Sequence, residues 1–423
     1  MFSLLSSGSN AHGQLALGTK EDAHTFSRCI FYDGGSNTTN LSEDIIHVAS
    51  GGNHTLLLSE RTSGENGLTK RTLWGCGNGA FGQLGECMKD EDQLVFRRMD
   101  LKLAESGLEC YQPRLICCSW ETSYVVLSGE GKSDVILSMG GNDFGDLGVG
   151  QSAPPKSFHV VSFNHLRITG LALDQVHLRV ISISAGQHHV IAQLHVQLSN
   201  QSHRVLIVGW GAARHGQLGD APNLKKNPVF ISLPKIVEVP LHPNDSIVRI
   251  ALGHQHSVFL HDSGSLIGLG SNKKSQLAGL DGLRNVSSVG CTWNGTYILD
   301  ALGILYATGD NSRGQLGHSS QLPSVLPSPV EVSFATASRI SNIACGSEHV
   351  LITRTESPGV TPEVWGWGWN EHGNLGLGST LDIRVPSKLW PRDVEDVDSS
   401  AVVTGIWAGC GTSWLALRSM NHE

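Results

Sequence analysis

The sequence predicts an all-β fold, a seven-bladed β-propeller in which the N- and C-terminal strands share one blade. Three observations predict it. Glycine supplies 50 of the 423 residues with no Gly-X-Y period, and together with the Val, Ile and Leu content this describes short strands joined by many tight turns. Two different signatures each recur seven times and alternate strictly along the chain. The chain begins with a lone copy of the first signature and ends with a lone copy of the second, so 2–8 and 405–417 are expected to complete one blade and leave no open edge.

The first signature is a glycine, a small polar residue two positions on, a second glycine at plus five and a leucine at plus seven. Its copies are 8–15, 77–84, 140–147, 211–218, 270–277, 309–316 and 368–375. Glycine and asparagine reach positive φ at low steric cost, so each copy reads as a turn closing a strand. Ser275 replaces the second glycine in the fifth copy and Ala213 the usual asparagine in the fourth. The second signature is an apolar alternation, a small residue, a His or Thr at plus three, and another apolar strand. Its copies are 45–58, 115–127, 180–192, 247–260, 286–299, 340–352 and 405–417, each with the period-two pattern of half-buried strands. Spacing between copies is uneven. Insertions near 87–109, 151–176, 220–245 and 390–400, the last acidic at 393–398, are expected to project as loops from a single domain spanning 1–423.

Composition narrows the function. A formal charge of -8 and the lack of a Lys/Arg block at either terminus argue against direct nucleic-acid binding. Nine scattered cysteines suggest reduced thiols inside a cell, the start is too short and uncharged for a signal peptide, and no run reaches membrane-spanning length. The expected location is the cytoplasm, with the nucleus as a second compartment, and the sequons at Asn53 and Asn294 are expected to go unused. His54, His189, His256 and His349 fill one repeat position and are expected to be held apart by the fold, in structural hydrogen bonds. His188-His189 with His195 lacks the cysteine or carboxylate companions of a metal site, Cys110, Cys117 and Cys118 could be proposed as ligands but as lone thiols in apolar strands read as small hydrophobes, and no helix follows the glycine turns to hold a phosphate. No metal, cofactor or catalytic residue is predicted, and the chain is expected not to be an enzyme.

The tryptophans divide into two groups. Trp74, Trp210 and Trp365 precede turn glycines and are expected in the core. Trp120, Trp293, Trp369 and Trp414 lie at the edges of signatures and are the candidate partner-binding anchors, with Glu121, Glu371 and His372 beside them.

The paired motifs, Gly-x-Asn-x-x-Gly-Gln-Leu-Gly and a strand ending in Gly-x-x-His, resemble the regulator of chromosome condensation repeat over essentially the whole chain. A narrower resemblance lies in Cys118-Ser119-Trp120-Glu121-Thr122-Ser123-Tyr124, Cys291-Thr292-Trp293, the stretch from Trp365 to Asn374, and Gly409-Cys410-Gly411-Thr412-Ser413-Trp414. These look like segments of the fungal alpha-tubulin suppressor, or killer-toxin-insensitivity, family. That resemblance implies a heterodimer with a small CSL-type zinc-finger protein, an iron-binding electron donor. The pair would serve diphthamide synthesis and Elongator-dependent tRNA wobble uridine modification, with Elongator and the diphthamide enzymes as indirect partners. The alternative, from resemblance to the founding repeat protein, is a guanine-nucleotide exchange factor for a small GTPase, with 151–176 as its wedge. A scaffold for a ubiquitin ligase is a third reading.

Overall fold

The computed structural model describes residues 1–62, 69–88, 91–151, 157–168, 170–199, 202–220, 225–240, 245–318, 325–334, 339–355, 361–391 and 401–419. The β-branched and leucine-rich segments of the second signature form the two inner strands of each blade, and the first signature closes the third. Blade one comprises Asp44–Ser50, His54–Thr62, Thr69–Gly77 and Gln93–Arg98, extended at its edge by Phe31–Tyr32 and Asn37–Thr38. Blade two comprises Gln112–Cys118, Thr122–Ser128, Val135–Gly140 and His159–Val160; blade three His177–Ala185, His189–Ser199, Ser202–Ala212 and Phe230–Ile236. Blade four has three strands among the described residues, Ile247–Leu252, His256–His261 and Leu266–Gly270. Blade five is Val286–Cys291, Gly295–Asp300, Leu305–Asp310 and Val325–Glu331; blade six Arg339–Cys345, His349–Thr355, Glu363–Gly368 and Ile383–Trp390.

The seventh blade joins the termini. Phe2–Gly8 pairs with Thr412–Arg418 along its whole length, from Phe2 opposite Arg418 to Gly8 opposite Thr412, with Val402–Ala408 inside and Ala23–Arg28 outside. Leu4 and Leu5 are buried there, so closure rests on apolar area as well as on the ladder.

Each blade packs its two faces on its neighbours. Tyr124, Val126, Val180, Val190 and Trp210 fill one such layer, and Leu4, Phe31, Trp74, Phe96 and Trp414 another. The turns between first and second strands and those between third and fourth strands lie on one face of the disc, the turn face, tied in all seven blades by a backbone bond. Asn78 N–H donates to the Asn53 carbonyl at 2.8 Å, Gly141 to Glu121 at 2.9 Å and Trp369 to Glu348 at 2.9 Å, for example. This close approach explains the first glycine of the signature. Gly140 has φ 118° and a Cβ there would sit 2.1 Å from the Glu121 carbonyl oxygen.

The histidine position locks neighbouring blades. His54 Nε2 lies 2.9 Å from Ser123 Oγ, His189 Nε2 3.1 Å from Ser257 Oγ, His256 Nε2 3.3 Å from Thr296 Oγ1 and His349 Nε2 3.0 Å from Ser413 Oγ, each hydroxyl belonging to the next histidine-position pair along the ring of blades. Ser257 donates its own proton to the Gln217 carbonyl and Thr296 to that of Gln276, both at 2.7 Å, so in those two blades the imidazole Nε2–H is the donor.

Several stretches expected as projecting loops are built into the blades. Residues 87–109 supply the strand Gln93–Arg98, 151–176 the strand His159–Val160, and 220–245 the strand Phe230–Ile236. Val161, Phe163, Ile168 and Leu173 are buried against blades two and three, so the described part of 151–176 lies against the disc. The acidic stretch 393–398 falls outside the described residues.

Candidate functional site

The middle residues of the first turns form the innermost ring of the turn face. In blade order they are Gly52, Trp120, Gln187, His254, Trp293, Ser347 and Cys410. Backbone bonds step around this ring: Gly52 N–H to the Trp120 carbonyl, 2.8 Å; Trp120 to Gln187, 2.9 Å; His254 to Trp293, 3.0 Å; Trp293 to Ser347, 2.8 Å. The ring is therefore rigidly placed around the central channel, whose wall here includes Cys118, Cys291 and Cys345 at the ends of inner strands.

Two of its side chains are large. Trp120 in blade two and Trp293 in blade five approach with ring centroids 6.2 Å apart at 48°. Blades two and five are not neighbours, so the indoles meet across the channel mouth and cover it. His254 packs on Trp293 at 5.9 Å. Half-buried indoles on a fixed backbone are a surface that desolvates well at little entropic cost.

Carboxylates flank the pair. Glu121 is held above the usual carboxylate range by desolvation and then by Asp143 and Asp146, with His188 pulling the other way. Glu348 is raised by burial and by Asp310 and Asp382, against Arg313 and Lys274. His188 is anchored by Asp146 at 3.2 Å and by the Phe144 ring at 4.4 Å.

The third turn of blade six adds Trp369, Glu371 and His372 to the same face. Trp369 Nε1–H donates to Glu371 Oε2 at 3.1 Å, the His372 ring stands edge-on to the Trp369 indole at 5.3 Å, and His372 Nδ1 reaches Asp22 Oδ2 of blade seven at 2.7 Å. Asn370 below them is scaffold: its Oδ1 accepts from Leu375 N–H at 2.8 Å and its amide bonds Ser379 and Leu381. Trp120, Glu121, Trp293, Trp369, Glu371 and His372 thus share one face of the disc.

The paired signatures, the seven blades and their closure by the terminal strands point to one family, and the RCC1-like domain family matches residues 3–417. The chain belongs to it. The RCC1-like chain is 26% identical over 430 residues to an RCC1 repeat-containing protein of Schizosaccharomyces pombe, covering 99% of this chain and 100% of that one. It is also 26% identical to the secretion-regulating guanine nucleotide exchange factor of Bos taurus, over 96% of this chain and 80% of that protein. Among solved structures, human WBSCR16 superposes with a TM-score of 0.71 at 18% identity over 100% of both chains. Prp20p of Saccharomyces cerevisiae gives 0.70 at 17% identity, over 100% of this chain and 92% of that one. These likenesses establish the propeller fold.

Two tryptophan expectations need correction in this RCC1-like propeller. Trp414 is no contact residue: it is fully buried, its Nε1–H donates to Thr412 Oγ1 at 3.3 Å, and it packs beside Phe96 at 6.1 Å. Trp120 and Trp293 precede the plus-three position and stay in the turn, whereas Trp414 follows it and enters the strand, where its side chain turns into the layer between blades. Trp365 is half-buried rather than core, stacked under the Arg354 guanidinium at 4.4 Å, and Trp367 is the residue that fills the interior, donating to the Gln315 carbonyl at 2.8 Å. Gln187, His254, Glu348 and Cys410 are not among the contact residues expected from the sequence, although the two middle positions of Gly-x-x-His find all four.

No group of three potential metal ligands occurs among the described residues. The channel thiols are protonated, burial pushing Cys118 and Cys291 up to about 12 and Cys410 to about 11. No helix among the described residues is long and apolar enough to cross a membrane.

Proposed function

We propose that this RCC1-like propeller is a non-enzymatic interaction protein that binds and regulates a small iron- and zinc-binding electron-donor protein of the CSL zinc-finger type through its turn face. In this reading the heterodimer serves diphthamide synthesis and Elongator-dependent tRNA wobble uridine modification in the cytoplasm, with the nucleus as a second compartment. The observation that carries the choice of surface is the Trp120–Trp293 pair over the channel mouth, rimmed by Glu121, Glu348 and Glu371. An aromatic centre with an acidic rim suits a partner carrying a basic patch around an apolar tip. The identity of the partner rests on the resemblance of the turn segments to the alpha-tubulin suppressor family.

The test is titration calorimetry of the purified chain with a small CSL zinc-finger protein. Trp120→Ala with Trp293→Ala is expected to weaken binding by about 2 kcal/mol or more, the range of buried aromatic anchors. Trp369→Ala with Glu371→Lys should weaken it further. Unchanged affinity in both folded variants rejects this surface. The guanine-nucleotide exchange reading draws on the Bos taurus relative, which is named as an exchange factor. Under the interaction reading, release of labelled GDP from small GTPases stays at its spontaneous rate, and acceleration by the protein would favour the alternative.

A further inference from the structure

The innermost strands of the seven blades form the channel wall, and their charges are one-sided. Across Asp44–Ser50, Gln112–Cys118, His177–Ala185, Ile247–Leu252, Val286–Cys291, Arg339–Cys345 and Val402–Ala408 there are four arginines, Arg114, Arg179, Arg249 and Arg339, against one carboxylate, Asp44. The whole chain carries -8, so the bias is local to the wall.

The wall also changes along its length. The exposed residues of these strands lie at or before their midpoints, away from the turn face, while the residues after the midpoints are at least half-buried. The channel is therefore covered by Trp120 and Trp293 at one end and open at the other. Each inner strand carries a register shift near that open end. Bulges re-aim side chains that would otherwise pack between sheets. The bulged residues of three blades are Ile46, Ile181 and Val248, exposed by 43%, 45% and 53%. In three others they are Ser287, Ser341 and Thr404.

Arg114 is neutralised by Asp134 at 2.6 Å. Arg179, Arg249 and Arg339 are exposed and have no ion-pair partner among the described residues. Arg249 is the third residue of its inner strand and follows the exposed bulge residue Val248. Further out, Glu60 pairs with Arg71 and Glu363 with Lys388.

We propose that the open end of the central channel binds an acidic, partly apolar peptide segment of a partner protein. The unpaired arginines meet its carboxylates, and Ile46, Ile181 and Val248 take its apolar side chains. Charge complementarity selects the sign of the ligand, and the exposed aliphatic residues select peptide over polyphosphate. A nucleic acid also meets long-range repulsion from a chain of net negative charge. This site lies at the opposite end of the channel from the tryptophan pair and stands independently of the function proposed above.

Fluorescence anisotropy of a fluorescein-labelled decapeptide of alternating Glu and Leu, titrated with the full chain, tests it. Binding is expected, weakened by added salt and by about tenfold in Arg249→Glu, with Arg249→Gln intermediate. Arg28→Glu, on an outer strand, should bind as the unaltered chain does. The proposal is overturned by no binding of the Glu-Leu peptide, by equal binding to a folded Arg249→Glu, or by tighter binding of a labelled single-stranded oligonucleotide or of the Lys-Leu decapeptide.

Discussion

Burial holds His54, His189 and His256 at a pKa of about 3 and His349 at about 4, against an ordinary value of 6.5. They are neutral in the folded chain because burial disfavours the imidazolium. The unfolded chain takes up protons at these positions below about pH 6.5 while the folded chain does not, so their contribution to stability is complete above that pH. It is lost as pH falls from there through the folded-state values, about 4 for His349 and about 3 for the other three. Each histidine contributes a slope of about 1.4 kcal/mol per pH unit where only the unfolded state is protonated. The urea midpoint should therefore drop steeply between pH 6.5 and 4.5, and His189→Gln should make that drop shallower by about one proton's worth. A midpoint flat over this range, or a slope untouched by the substitution, excludes the neutral-histidine lock. The structural role of these histidines was legible from their repeat position, because symmetry keeps equivalent residues apart. Their partners were not, since Ser123, Ser257, Thr296 and Ser413 look like ordinary strand polar residues until the blades are docked. Trp414 was misread for a related reason: a shift of a few positions within a turn-strand junction moves an indole from the surface to the interior.

At the scale of elements, closure of the disc depends on one strand. Phe2–Gly8 pairs with strands on both sides, Thr412–Arg418 and Ala23–Arg28. It also buries Leu4 and Leu5, at 0% and 2% exposure. Two fully buried leucines contribute about 1.5 to 3 kcal/mol each, before the ladder is considered. Removing residues 1–8 should lower the stability of the chain by about 5 kcal/mol or more and expose two strand edges that invite association. Thermal unfolding and light scattering check this, and a truncated chain with an unchanged midpoint and monomeric scattering contradicts it. The inner strands and their closure were legible because the repeat signatures are tied to backbone requirements, such as the glycine that lets Gly140 approach Glu121. The outer strands were not. Gln93–Arg98 has one buried residue among six and Ala23–Arg28 has none, so neither shows the alternation that marks a half-buried strand.

The whole molecule is a disc whose channel has two chemically different ends, and at the turn-face end Glu121 and Glu348 have no ion-pair partner among the described residues. Glu121 faces Asp143, Asp146 and His188; Glu348 faces Asp310, Asp382, Arg313 and Lys274. In both, desolvation and like charges outweigh the cations, so the carboxyls hold their protons to a higher pH than an ordinary side chain. A basic partner docking on the tryptophan pair would bind the charged forms and pull both values down, which requires proton release on binding wherever the free protein is partly protonated. Affinity at this face should consequently fall as pH is lowered toward and through the raised carboxyl range. Glu348→Gln should cost about three- to tenfold in affinity at neutral pH and flatten that dependence, since the substituted amide has no proton to lose. Titration calorimetry in buffers of different ionisation enthalpy measures the protons released directly. Equal release by the unaltered chain and Glu348→Gln would mean that binding leaves this carboxyl untouched, and the contact surface would then have to lie toward Trp369 and Glu371, away from the mouth.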